Sequence, residues 1–461
     1  MTTLVVTPTN APLRGVVAAP PGPTMLQIGL LAAALGPPGA TTRIEGRGVP
    51  ALPLMAALRP LGVTVERDAA AGLTVFGVGL DGLLGPPPSA SGAPREPVVV
   101  PCPPDPVVMG ALLGAVAGRS TPLRLDGDPE AIALHAAGAA RALRLRGAQL
   151  EGTLDPNRVG VLSPPLDVGP APGPLSELQL DATQRPAPAA KAAALMSGLL
   201  ALGDTFVHER TVSDDRLERV LAAVGVPLEN VGPMLRLIPP AGPLSPLSGP
   251  PPGDPSFAAA MFAASAHHDA AHVGVRGVGL APSRNGWFEA LRDTGVRLHH
   301  HGGGERWGMA VGDLHLDGAP PGPLRVAGER GLRVGIPLPL LAALAARAPG
   351  ESELTDVPLD HPRQLPATFR LLQTIGVPAR PIERGLAVRG GAPPQGGVKV
   401  DAAGDPALAM GATVLAVGAR APCRIVGAEV IGLSFPRFVG YLRALGADIE
   451  VQASTPSPGG T

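Results

Sequence analysis

The chain of 461 residues is poor in lysine, cysteine and aromatic side chains. It has only two lysines, Lys191 and Lys399, and only two cysteines, Cys102 and Cys423, which are far apart. One Tyr, two Trp and eight Phe leave few rings on which bases could stack, and a formal net charge of −1 gives no field that would attract a polyanion. These scarcities argue against a nucleic-acid-binding protein and against a disulfide-rich secreted one.

Long hydrophobic runs are also missing. The apolar stretches at 25–35 and 192–202 are too short to cross a bilayer and are bounded by Pro, Gly or charge. They are typical of buried helices, so we predict no membrane partner. The first residues carry no secretory signal pattern, and a reducing cytoplasm is the simplest compartment.

Glycine and proline, in contrast, are abundant, with 62 and 58 residues. Many of the glycines belong to one pattern that occurs six times: a helix-like run, then Gly-Val or Gly-Ala, then a β-like dipeptide. Each of these glycines is predicted to end a helix with positive φ, and a strand follows it. The six are Gly62, Gly147, Gly225, Gly295, Gly376 and Gly446.

Each repeat also has an earlier helix that is apolar on all sides and opens with proline, often beside Gly or Asp. Such helices are expected to be buried inside a layer. At this length two domains are the default expectation, and the proline-rich segment at 239–253 is the best candidate for their boundary. Another polar segment, His299 to His301 followed by GGGER, is predicted to be a loop after a strand.

Three segments form a recognisable set: PGDPSFAAAMFAAS with the strand and helix that follow it (252–298), VDAAGDPALAMGATVLAV (400–417) and LSFPRFVGYLRALGADIEV (433–451). Together they resemble the EPSP synthase (3-phosphoshikimate 1-carboxyvinyltransferase) family of enolpyruvyl transferases. The resemblance implies an α/β fold with six βαβαββ repeats, three in each of two lobes. We predict one lobe at 20–237, a second built from 1–19 with 238–454, and a disordered tail at 455–461.

The resemblance also implies a reaction: transfer of the enolpyruvyl group of phosphoenolpyruvate to shikimate 3-phosphate, bound between the lobes. Two phosphates and two carboxylates would call for several Lys and Arg side chains, and proton transfer for a carboxylate and a Lys. The matching positions of this chain lack them. Pro23, Thr24 and Ile28 replace Lys, Ser and Arg of the first motif, while Ile336 and Pro337 replace an Asp-Glu pair.

Other motif positions are similar. Leu433 stands in the place of a Lys, and Asp105 is the one charged group in the segment that replaces GNSGTTMR. Asp360, His361 and Arg363 lie near a further motif without matching its pattern. No residue is therefore assigned a catalytic role.

Three residues are candidate substrate-binding positions because they coincide with family motifs: Thr24, Lys191 and Asp405. Each has an ordinary structural alternative. Thr24 lies at a helix start, Lys191 lies in an Ala-rich helix, and Asp405 is suited to be the N-cap of the helix that begins at Pro406. A metal site at His267, His268, Asp269 and His272 is less favoured than a solvated helix end, and we predict no metal and no cofactor.

Three functions stay open on the sequence. The first is an inactive or impaired EPSP synthase homologue that binds an anionic small molecule between its lobes. The second is an active synthase with a rearranged site, and the third is an interaction scaffold. We expect a monomer with no nucleic-acid partner.

Overall fold

The computed structural model describes residues 2–45, 52–68, 72–83, 96–119, 121–154, 162–170, 173–183, 187–211 and 213–453. The tail predicted to be disordered, 455–461, lies outside the described residues. The chain has two further proline-rich stretches, at 84–96 and 164–174. Most of the first and two residues of the second also lie outside the described residues.

The chain divides into two compact units. Unit 1 comprises residues 1–22, 252–305 and 310–461, and unit 2 comprises residues 23–251 with 306–309. Unit 1 begins with strands β1 (Thr2–Thr7) and β2 (Arg14–Ala18). The predicted lobe limits at residues 20 and 237 stay a prediction.

Unit 2 contains helices and strands in regular alternation. They are α1 (Pro23–Ala34), β3 (Thr41–Ile44), α2 (Pro53–Leu58) with a 3₁₀ turn at Arg59–Leu61, β4 (Val65–Arg67), β5 (Leu73–Phe76), β6 (Val98–Pro101), α3 (Pro106–Val116), β7 (Leu123–Asp126), α4 (Pro129–Leu145), β8 (Leu150–Leu154), β9 (Leu162–Val168), β10 (Leu178–Asp181), α5 (Pro188–Gly198), β11 (Thr205–His208), α6 (Arg216–Ala223), β12 (Leu228–Val231) and β13 (Met234–Leu237). Its described strands form three sheets, in the orders β3-β5-β4, β6-β7-β9-β8 and β10-β11-β13-β12.

Unit 1 continues after residue 251, except that residues 306–309 between two of its strands belong to unit 2. Its elements are α7 (Pro255–Ser265), β14 (His272–Gly279), a 3₁₀ turn at Pro282–Arg284, α8 (Gly286–Asp293), β15 (Arg297–Arg306), β16 (Met309–Asp317), β17 (Arg325–Val326), α9 (Gly328–Leu332), α10 (Leu338–Arg347), β18 (Gly350–Thr355), α11 (Gln364–Ile375), β19 (Ala379–Ile382), β20 (Gly385–Gly390), β21 (Lys399–Asp401), α12 (Pro406–Val417), β22 (Cys423–Val426), a 3₁₀ turn at Ala428–Leu433, α13 (Phe438–Ala444) and β23 (Asp448–Ala453).

The two N-terminal strands complete sheets made by distant parts of unit 1. Strand β1 lies between β22 and β23 in the sheet β21-β22-β1-β23, antiparallel to both, with Leu4 opposite Ile425 and Val451. Strand β2 is the edge of the sheet β15-β16-β14-β2 and runs parallel to β14. The remaining sheet is β17-β18-β20-β19. The N-terminal segment therefore belongs structurally with the C-terminal half of the chain.

The α/β class is confirmed, whereas the count of six βαβαββ repeats stays a prediction. The six glycines predicted to end helices all have positive φ, between 81° at Gly295 and 109° at Gly446. Five of the six apolar helices begin at a proline, and the sixth, α10, has Pro337 as its N-cap and Pro339 as its second residue. In the described part of the chain, no helix is long and apolar enough to cross a membrane.

The apolar helices lie in the core of each unit. In unit 2, α3 approaches α5 so closely that a Cβ added to Gly110 would lie 2.1 Å from the carbonyl oxygen of Ala189. In unit 1, the ring of Phe257 on α7 packs edge-on against Phe435 and Tyr441. The candidate functional residues lie at the N-terminal ends of these helices, so the packing of the helices fixes their positions.

Candidate functional site

In unit 2, the candidate Thr24 contacts Asp105 at the start of α3. Asp105 is the N-cap of this helix, and its Oδ1 accepts hydrogen bonds from Val107 N at 2.9 Å and Val108 N at 3.1 Å. Its Oδ2 accepts a hydrogen bond from the hydroxyl of Thr24, the second residue of α1, at 2.5 Å. A carboxylate is favourable here because the helix N-terminus carries partial positive charge. The side chain of Asp105 thus occupies a place where a helix could bind an anion.

In unit 1, Asp405 has the same role at the start of α12. Its Oδ1 accepts from Ala407 N at 2.7 Å and from Leu408 N at 3.1 Å, which confirms the predicted N-cap. His361 Nε2 lies 3.1 Å from the other oxygen, Oδ2. The imidazole is 41% exposed and the carboxylate 10% exposed, so this pair joins a half-exposed base to a nearly buried acid.

The third candidate, Lys191, is buried in α5 with 2% of its surface exposed. Its Nζ donates to Glu209 Oε2 at 2.9 Å and lies 2.5 Å from Glu218 Oε1. Burial acts to lower the pKa of Lys191, but the charges of Glu218 and Glu209 outweigh burial and raise it. The ammonium therefore stays charged and is held between two carboxylates.

The two carboxylates differ in their surroundings. Glu209 accepts hydrogen bonds from the hydroxyl of Ser213 and from Ser213 N at 3.3 Å, in addition to Lys191. Glu218 Oε2 has no hydrogen-bond partner among the described residues. Burial raises the pKa of Glu218 to about 7, against the opposing effect of Lys191.

Apolar side chains occupy the other motif positions. Pro23 is the first residue of α1, Ile336 is buried in the core of unit 1, and Pro337 is the N-cap of α10. Leu433, which the sequence predicted to stand in the place of a family Lys, is exposed. None of these side chains can carry charge or transfer a proton.

The remaining sequence expectations have mixed outcomes. The loop predicted at His299 to His301 is wrong, because these residues and the glycines after them form strand β15. A run of polar side chains followed by glycines has the composition of a turn, which is why the sequence favoured a loop. Burial raises the pKa of the Cys102 thiol to about 12, so this thiol is inert at neutral pH. Among the residues that the structure describes, no group of three or more His, Cys, Asp or Glu is placed to hold a metal ion.

Sequence reasoning missed the partners of the candidate residues. Nothing in the pattern linked Lys191 to Glu209 and Glu218, which are 18 and 27 positions further along the chain. The pairing of His361 with Asp405 spans 44 positions. One signal was available: a buried Lys in an Ala-rich helix requires a carboxylate partner, although the sequence does not show which of the following acidic residues provides it.

The folded chain has the architecture of an enolpyruvyl transferase. A solved structure of EPSP synthase from Acinetobacter baumannii matches with a TM-score of 0.80 at 24% identity, over 98% of this chain and all of that one. The enolpyruvyl transferase NikO from Streptomyces tendae matches with a TM-score of 0.71 at 20% identity, over 98% of this chain and 99% of that one. At these identities the likeness shows the fold.

The family follows from sequence comparison. The model of EPSP synthase (3-phosphoshikimate 1-carboxyvinyltransferase) matches residues 8–442. A 3-phosphoshikimate 1-carboxyvinyltransferase from Methylococcus capsulatus is 32% identical over 87% of each chain, and one from a Roseiflexus species is 30% identical over 93% of this chain and 96% of that one. The chain belongs to the EPSP synthase family.

Proposed function

We propose that this protein keeps the EPSP synthase fold without the family's enolpyruvyl transfer, and that it serves instead as a binding or regulatory protein for an anionic small molecule. One observation carries the proposal. Lys191, the one lysine left at a family motif position, is buried and bound to Glu209 and Glu218. It would reach a ligand only by giving up one of these partners.

The negative charges at two helix N-termini support the same proposal. Asp105 and Asp405 place negative charge at the starts of α3 and α12, where the family's anionic substrates would need donors. Each lost charge-assisted hydrogen bond is worth about 1.5–3 kcal/mol, so several losses would remove most of the affinity for two anions. Arginine could replace some charge, but it does not release its proton near neutral pH.

A residual ligand would be bound through the three candidate positions in different ways. The hydroxyl of Thr24 would have to turn from Asp105, and Asp405 would contact a donor on the ligand rather than an anionic group. We therefore expect weak binding of a singly charged ligand rather than of two polyanions together.

The direct test is an assay of phosphate release from shikimate 3-phosphate and phosphoenolpyruvate, with the relative from Methylococcus capsulatus measured in parallel. We expect no turnover above background for this protein. Thermal shift with each substrate at millimolar concentration separates loss of binding from loss of chemistry, since a bound ligand raises the unfolding temperature. Turnover within the range usual for enzymes, about 1–1000 per second, would refute the proposal.

An active synthase with a rearranged site is the second candidate. Two observations favour it: 32% identity over most of the chain to a relative with that name, and the contact between His361 and Asp405. An imidazole held by a carboxylate can transfer protons near neutral pH. If turnover is found, His361→Gln should abolish it, whereas His299→Gln, on β15, should not. Loss with both variants would show a general effect on folding.

A further inference from the structure

The buried cluster formed by Lys191, Glu209 and Glu218 in unit 2 has one positive charge and two acidic groups. If both carboxylates were ionised, the cluster would hold a net charge of −1 in a place where each member has 10% or less of its side chain exposed. An uncompensated buried charge is expensive, and groups in such places change their protonation state instead.

The hydrogen bonds indicate which carboxylate takes the proton. Both oxygens of Glu209 accept from donors, provided by Ser213 and Lys191, and such bonds stabilise the ionised form. Glu218 receives Lys191 at Oε1 and a hydrogen bond from its own backbone N–H, and its Oε2 is buried without a partner among the described residues. A proton added to an oxygen that accepts no hydrogen bond breaks no existing hydrogen bond, so Glu218 Oε2 is the favoured position for it.

The charged groups around Glu218 support this assignment. Helices α1 and α5 contribute no ionisable side chain other than Lys191. On the start of α6 the nearest acidic group is Asp215, which is paired with Arg219 at 2.7 Å and still acts against a charge on Glu218. Asp214 is paired with Arg216. Within the described ranges, Lys191 is the one cation whose charge acts on Glu218, and it is shared with Glu209.

We propose that Glu218 holds a proton near neutral pH, so that the three side chains form a neutral buried triad that ionises as the pH rises and thereby destabilises the folded chain. The ordinary pKa of a glutamate in an unfolded chain is about 4.3. Because the folded protein then binds more protons than the unfolded one between this value and neutrality, the free energy of unfolding falls with rising pH across that window and levels off above about 7.

The test uses the full chain and two isosteric variants. Glu218→Gln imitates the protonated side chain at every pH. Glu229→Gln is the matched control, because Glu229 is a half-exposed glutamate of the same unit that pairs with Arg236 at 3.0 Å. We expect the unfolding temperature of Glu218→Gln to exceed that of the parent by a margin that grows by several degrees from pH 5 to pH 8, while Glu229→Gln follows the parent.

Infrared difference spectroscopy gives an independent readout. The parent at pH 6 should show the carbonyl stretch of a buried carboxylic acid that Glu218→Gln lacks and that disappears on titration through neutral pH. Should Glu218→Gln fail to fold, Glu209→Gln replaces it: with one carboxylate left, Lys191 neutralises Glu218 and the band should be lost. A band that neither variant removes, or a temperature difference independent of pH, overturns the proposal.

Discussion

Unit 1 fills the space between its helices with aromatic rings, whereas unit 2 brings its helices together through small residues. Six of the eight Phe belong to unit 1, and Phe262 there lies 6.3 Å from Trp287 between ring centroids. In unit 2, Gly110 and Gly114 of α3 face backbone atoms of α5. Both units nevertheless carry apolar helices that begin at or beside a proline and other helices that are followed by a positive-φ glycine. The fold depends on these helix ends, whereas the core between the helices can be packed with either aromatic or small side chains.

The units also bury charge differently. In unit 1, Arg347 donates to the carbonyl oxygens of Ala263, Val414 and Leu415, near the C-terminal ends of α7 and α12. Burial lowers the pKa of Arg347 to about 10, so it remains charged at neutral pH. In unit 2, Lys191 has carboxylate partners instead. Helix dipoles serve as the counter-charge of Arg347, and ionisable side chains serve as that of Lys191.

The largest effect should come from removing Lys191, the buried cation of unit 2 that lies between two carboxylates. Lys191→Met leaves two buried acidic groups without a counter-charge, and we expect a loss of about 3–5 kcal/mol in the free energy of unfolding at pH 7.5. The loss should shrink toward pH 5, because protonated carboxyls need no counter-charge. Denaturant unfolding across this pH range measures both features.

Arg347→Met is the counterpart in unit 1. It should also destabilise, since backbone carbonyls lose their donor, but its effect should hardly change between pH 5 and pH 7.5 because carbonyl groups do not titrate. Equal pH dependence in the two variants would contradict the distinction between the units.

Close helix contact is the next feature to test. Gly110→Ala would place a methyl group 2.1 Å from Ala189 O in unit 2, where two backbones meet and neither can move easily. We expect a loss of about 1–3 kcal/mol from overpacking. In unit 1, Gly411→Ala on α12 would meet Pro339 O at 3.0 Å and should cost less. The comparison fails if the two substitutions are equally damaging.

Removing a helix N-cap should lower the free energy of unfolding less than the substitutions above, and by about the same amount in the two units. Asp105→Ala removes the N-cap of α3, and Asp405→Ala removes that of α12; each leaves two first-turn N–H groups without their acceptor. We expect about 1 kcal/mol for each. Asn at either position should keep most of the stability, because its side-chain oxygen still accepts. A loss well above 2 kcal/mol would indicate that the contact with Thr24 or His361 matters more than the cap.

The sequence predicted the ends of the helices better than the contacts between distant side chains. Glycines such as Gly62 and Gly446 could be recognised because a helix that stops before a strand needs positive φ, a local requirement. Asp405 could be recognised as an N-cap for the same reason. The partners of Lys191 could not, since they depend on how α5, β11 and α6 pack. Strand β15 was missed because its exposed histidines and glycines lack the apolar alternation of a half-buried strand.

The smallest effect should be a gain. Gly440 lies exposed in α13 of unit 1 with negative φ, and a Cβ there would meet nothing within 4 Å. Gly440→Ala should therefore raise the free energy of unfolding by about 0.4–1 kcal/mol, because alanine loses less backbone entropy on folding. Gly446, six residues later, has φ of 109°, and its Cβ would lie 3.6 Å from Leu13 Cδ2, an ordinary contact. Gly446→Ala should destabilise although no clash forms, since alanine resists this conformation. Chemical denaturation of the two variants side by side separates backbone conformation from the packing tested at Gly110. A gain at both positions would mean that the end of α13 tolerates a left-handed alanine, and that the glycine pattern reflects something other than the backbone.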